Sequence, residues 1–127
     1  MTMDVFEMRR RVTEADVSVL VERFYDRVRE NPSLAPVFDA RIEPRAWPGH
    51  LTKMKDFWST VLLGTGRYRG NPMTAHQSVP GVTREHFGGW LALFEDVVGE
   101  LFAEDVARAI LQRARRMGDS LMASLSL

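Results

Sequence analysis

The stretch Pro72-Met-Thr-Ala-His76-Gln-Ser-Val-Pro80 decides how the rest of the chain is read. Pro72 has the fixed φ that suits the first position of a helix, and Pro80 cannot continue one. Between them lies a turn or two, too short for a helix to be stable by itself. Yet it carries one of only three histidines in the 127-residue chain. A short, double-ended clip that presents an imidazole reads as a device for holding something.

Before the clip, Gly64 to Asn71 contains three glycines and one aromatic residue, Tyr68, and reads as a loop. A long helix is expected ahead of it, from about Trp47 to Leu63. Leu51, Met54, Phe57, Trp58, Val61 and Leu62 form its apolar face, and Gly64 closes it. His50 precedes Met54 by four and Phe57 by seven, so its imidazole shares that inward face. After the clip, Thr83 reads as the N-cap of a helix with Phe87, Trp90, Leu91, Phe94, Val97, Val98 and Leu101 inward. A last helix starts near Glu104 and carries Val106, Ile110, Ala114, Met117 and Leu121.

Toward the N-terminus, Thr13 reads as the cap of the first long helix, with Val17, Leu20, Val21, Phe24, Tyr25 and Val28 on one stripe. Asn31-Pro32 ends it. Residues 33–38 suggest one short turn around Pro36, and 39–48 an irregular bend. Residues 1–12 show no period and are expected to form an N-terminal arm, leaving a single domain over 13–124. No strand alternation or hairpin signature appears, so the fold class is all-α.

Apolar residues make up 45% of the chain and charged residues 27%, the profile of an ordinary globular domain. Seventeen basic residues balance seventeen acidic ones, so no overall field attracts nucleic acid or anionic lipid; neither is an expected partner. There is no cysteine, which excludes disulfides, thiolate-ligated haem, iron–sulfur clusters and covalent attachment through C-x-x-C-H. No apolar run is long enough to span a membrane and the N-terminus is charged. A cytoplasmic location is expected.

A histidine on an apolar helix face is usually a satisfied core residue. Here, however, His50 and His76 lie on different elements joined by a glycine-rich loop that lets them face a common gap. Phe38, Met54, Phe57, Trp58, Phe87 and Trp90 supply apolar walls. The Tyr25 hydroxyl and the Trp90 indole N–H point inward and need partners when buried. Such a slot has the makings of a cofactor site. Zinc fits poorly, for want of a third His or carboxylate at suitable spacing, and Glu85-His86 lacks the Glu-x-x-His spacing of di-iron bundles. His86, in a first helical turn, reads as surface or rim. Haem requires one strong protein ligand and apolar walls, which matches this inventory.

Motifs along nearly the whole chain resemble the truncated (2-on-2) haemoglobins, most closely group III. They are Phe24-Tyr25, Pro36-Val-Phe38, His50-Leu-Thr-Lys-Met-Lys-Asp-Phe-Trp58, Leu63-Gly-Thr-Gly-Arg-Tyr-Arg-Gly-Asn-Pro72 with His76, Trp90-Leu-Ala-Leu-Phe94 and Ile110-Leu-Gln-Arg-Ala114. The resemblance implies a two-over-two helical sandwich whose proximal helix is reduced to a loop and a turn. It implies non-covalent haem b with His76 as the iron ligand, and Tyr25, His50 and Trp90 on the distal side. Phe38 would pack on the haem plane and Trp58 at its edge, with Met54 and Phe57 also against the cofactor. Lys53 and Tyr68 stand where propionate partners are expected. Met54 departs from the aliphatic residue that other members often carry.

The function so implied is binding of O2, and of NO and CO, at a five-coordinate iron, with O2 held tightly by the polar distal residues. The alternative is a haem enzyme that uses O2 or peroxide, in the manner of an NO dioxygenase or a peroxidase, with electrons from an external reductase. A helical interaction module with incidental histidines is a third class. Direct coordination of the iron by His50 is a further alternative to its hydrogen-bonding role.

Overall fold

The computed structural model describes residues 3–77 and 81–127. Seven α-helices are found among them: α1 Val5–Arg11, α2 Glu14–Glu30, α3 Ala35–Asp39, α4 Trp47–Leu63, α5 Pro72–Gln77, α6 Arg84–Leu101 and α7 Glu104–Ser124, with a 3-10 turn at Pro44–Ala46 leading into α4. Among the described residues there is no strand.

Local chemistry sets the boundaries. Thr13 and Asp16 form a reciprocal capping box at the start of α2, each satisfying the other's backbone N–H. At its end the Asn31 carboxamide oxygen accepts from the N–H groups of Ser33 and Leu34, turning the chain toward α3. Thr83 caps α6 in a box completed by His86 rather than an acid. Gly64 closes α4 at φ 65°, a left-handed conformation that glycine adopts without strain. α5 begins at Pro72 as expected; Pro80, the other end of the clip, lies outside the described residues.

α6 pairs with α7, α2 pairs with α4, and α2 also packs against α6 to join the two pairs. The six apolar residues expected on α2 are all buried. Between the pairs lies an aromatic stack. Trp58 of α4 lies 4.9 Å from Phe94 of α6 at 23° between planes, Trp90 lies 5.2 Å from Phe94 at 5°, and Phe24 of α2 meets Trp90 and Phe94 edge-on. Rings in offset or edge contact contribute beyond the area they bury.

The expected N-terminal arm is instead largely helical. Asp4 caps α1, Met8 is completely buried and Val12 nearly so, and the helix packs on α4. Arg9 Nε donates to the Leu63 carbonyl at 2.7 Å, satisfying one of the orphan acceptors at the end of α4. A seven-residue helix with one deeply buried side chain is too short to show a period. A further difference is Ser59, 1% exposed on the inner side of α4. It donates to Glu14 Oε1 at 2.5 Å, and therefore accepts from the Thr65 hydroxyl at 2.8 Å. Thr60 Oγ1 accepts from the Tyr68 N–H at 2.9 Å. The loop that reads as unstructured is thus tied to α4 at two points. Met8→Ala should lower the unfolding free energy by about 2–5 kcal/mol, the usual cost of truncating a core side chain. Urea denaturation measures this, and an unchanged midpoint would mean that α1 contributes nothing to the core.

Candidate functional site

A cavity of about 660 Å³ opens between the two helix pairs, within the range of small-molecule sites, about 300–1,000 Å³. All ten residues expected at the site line it: Tyr25 from α2, Phe38 from α3, His50, Lys53, Met54, Phe57 and Trp58 from α4, Tyr68 from the loop, His76 from α5 and Trp90 from α6. The walls include further residues that sequence reasoning did not single out for the site. Leu34, Val37 and Ile42 come from α3 and its flanks, Val82 precedes α6, and Leu121 comes from α7, as does Met117. Met117 and Leu121 were legible only as an apolar stripe, because a 3.6-residue period does not separate cavity-facing residues from core.

His76 is held by its own short helix. Its Nδ1 lies 2.7 Å from the Pro72 carbonyl. A carbonyl can only accept, so Nδ1 carries the proton and Nε2 keeps its lone pair. This is the tautomer and second contact that metal-bound imidazoles characteristically have. Proline at position 72 suits this arrangement because it has no N–H of its own and starts the turn whose carbonyl meets the ring. Phe87 packs beside the imidazole at 6.2 Å.

On the wall formed by α2 and α4, His50 is gripped by two rings nearly perpendicular to it, Tyr25 at 5.3 Å and Trp47 at 5.4 Å. Its Nε2 is the one buried side-chain polar atom without a hydrogen-bond partner among the described residues. Burial, with a smaller push from the Lys53 ammonium, lowers the imidazole to about 4, so it is neutral at pH 7. The Tyr25 hydroxyl is pushed well above the ordinary tyrosine value by burial, with a smaller opposing pull from the neighbouring Trp90 indole N–H. Tyr25 therefore remains a hydroxyl at any ordinary pH. The two polar tips that required partners line the same cavity, and the Tyr25 proton stays available to a group that enters it.

Lys53 is exposed at the cavity wall, with no ion pair among the described residues, and Tyr68 meets Phe57 edge-on at 5.1 Å. His86 also reaches the cavity, half-buried, as expected of a rim residue. Its Nδ1 accepts from the Thr83 N–H at 3.0 Å, which commits that nitrogen to capping α6. Among the described residues no three His, Asp or Glu side chains converge to hold a bare metal ion. An apolar slot with one lone-pair imidazole and an unmet buried nitrogen on another helix fits a flat, largely apolar cofactor that brings its own metal.

The family model of bacterial-like globins matches residues 12–122. Among curated proteins, the chain is 35% identical over 106 residues to the group 3 truncated hemoglobin ctb of Campylobacter jejuni, covering 82% of this chain and 84% of that one. It is 30% identical over 104 residues to the group 2 truncated hemoglobin YjbI of Bacillus subtilis, covering 79% and 75%. The crystal structure of the group III truncated hemoglobin from Campylobacter jejuni superposes with a TM-score of 0.85 at 31% identity, over 98% of this chain and 95% of that one. The all-α, two-over-two arrangement expected from the motifs is thus the fold observed, and the chain belongs to the bacterial-like globin family, with its likeness extending to group III truncated haemoglobins.

Proposed function

We propose that the cavity holds a non-covalent haem b ligated by His76, and that the protein binds O2, NO and CO there with tight retention of O2. The observation that carries this reading is the His76–Pro72 hydrogen bond, which leaves the Nε2 lone pair free. The absence of cysteine from the chain supports non-covalent attachment. A haem bound through one imidazole supplies an open coordination position at which diatomic gases bind. Phe38, Met54, Phe57 and Trp58 would wall the slot and exclude water, and Lys53 and Tyr68 would meet the propionates.

The distal residues hold protons where a polarised gas ligand can use them. Tyr25 is a neutral hydroxyl, and the Trp90 indole N–H lines the same cavity. Trp90 would offer its indole proton to the same ligand. His50 is neutral, and its unmet Nε2 would gain a partner when a ligand is present. A hydrogen bond involving a charged or strongly polarised partner contributes about 1.5–3 kcal/mol, or about 10- to 100-fold in release rate per donor. Two such donors suit retention better than delivery. The same retention supports a second reading, in which O2 or peroxide is consumed with electrons from a separate reductase. NO-dependent O2 consumption that requires added reductase would establish that reading.

His76→Ala should abolish the Soret absorption of haem-reconstituted protein; an undiminished band would remove His76 as the ligand. Tyr25→Phe should speed O2 dissociation by about 10- to 100-fold, with a smaller effect for Trp90→Phe, as followed by stopped-flow displacement. The protonation of His50 gives a third test. Its folded value of about 4 lies below the ordinary 6.5, so the unfolded chain takes up the proton first as pH falls. Stability should decline from about pH 6.5 to 4 and level off below, as far as this group is concerned. His50→Leu should flatten that portion of a urea-midpoint profile.

A further inference from the structure

We propose that Trp47, backed by Arg29, is a positioning residue that latches the His50 ring in its inward orientation. This deepens the reading above, resting on His50 serving the cavity's distal wall. Trp47 opens α4 one residue short of a full turn before His50 and is 3% exposed. It is absent from the cavity wall, so it touches whatever fills the cavity only through its neighbours. Its ring lies 5.4 Å from His50 at 89°, 6.0 Å from Tyr25, and 6.3 Å from Phe38 at 30°. Over it lies the exposed Arg29 guanidinium, 4.6 Å from the ring centre, a stacked cation–π contact.

The need for a latch comes from His50 itself. A buried nitrogen without a partner is unfavourable, and His50 is only partly buried as a residue, so a modest rotation would bring the ring to water. The imidazole stays inward although nothing described there hydrogen-bonds its Nε2. What opposes rotation is steric: the ring is confined between Tyr25 and Trp47, both at right angles to it. Tyr25 is itself fixed by edge contacts with Phe24 and Phe38. Trp47 is the other jaw, and Arg29 covers its outer face. The charged group bearing on His50 is Lys53, on the same helix.

Two readouts test the latch. The first is the titration midpoint of the His50 imidazole, followed by NMR in the intact chain. It should lie near 4 in the natural sequence and move up toward about 6.5 in Trp47→Leu. A smaller rise is expected in Arg29→Met, and a near-natural value in Trp47→Phe, which keeps an aromatic jaw. The second is the C–O stretching spectrum of the CO complex: Trp47→Leu should add a second band at the position given by His50→Leu. Thermal midpoints serve as the control. If Trp47→Leu and Arg29→Met lower only the thermal midpoint and leave His50 near 4, Trp47 is ordinary packing and the latch is wrong. Should Trp47→Leu fail to fold, Arg29→Met decides by the same criterion. Absence of any CO complex in the natural protein would overturn the haem reading instead, while the imidazole titration would still decide the latch.

Discussion

The packing of Trp58, Trp90 and Phe94 between the two helix pairs is the constraint on which the site depends. These three rings, with Phe24 set against them edge-on, join α2, α4 and α6. Each of those helices supplies a polar residue to the cavity: Tyr25 next to Phe24, His50 two turns before Trp58, and Trp90 within the stack itself. Flat rings held on several sides have few ways to shift. The polar groups beside them are therefore pre-positioned by apolar contact, before any ligand enters.

The other wall is built on a different principle. α5 has six residues, well below the length at which a helix stands by itself in water. Its position is prepared upstream. Arg9 caps the end of α4, Ser59 gathers Glu14 and Thr65 into one hydrogen-bonded group, and Thr60 holds the Tyr68 backbone. Arg67 adds an ion pair to Glu14 at 3.1 Å; both partners are exposed, and such pairs contribute little by themselves. The buried Ser59 contacts matter more, because a hydroxyl shut away from water is costly to leave unpaired. A short helix can thus carry an imidazole whose orientation its own first carbonyl determines.

Protonation follows from the same burial. His50 is driven neutral and Tyr25 is kept as a hydroxyl by desolvation in each case, and neighbouring groups only adjust the outcome. A cavity wall made of neutral donors and acceptors can respond to a polarised ligand without first having to neutralise a buried charge.

Much of this was legible along the chain. The periods of α2, α4, α6 and α7, the threonine caps at 13 and 83 and the glycine that closes α4 follow from local spacing, and the ten cavity residues were complete only through the family resemblance that motifs in a fixed order carry. Helix α1 was not legible, because its burial rests on Met8 and Val12 meeting a surface that other helices create. Trp47 looked like a helix start, and its grip on His50 needs α2 and α3 to be in place. Ser59 was not singled out, because its partners Glu14 and Thr65 meet it only once the helices are packed. The amino-acid order by itself determined which faces are apolar and which residues can carry protons or a lone pair, since those properties are local. Tertiary structure alone decided that Tyr25 and Trp90 share one cavity, that His50 has an unmet nitrogen and that His76 presents Nε2, because neighbours and desolvation are set by elements distant in the chain or by the closing of a turn.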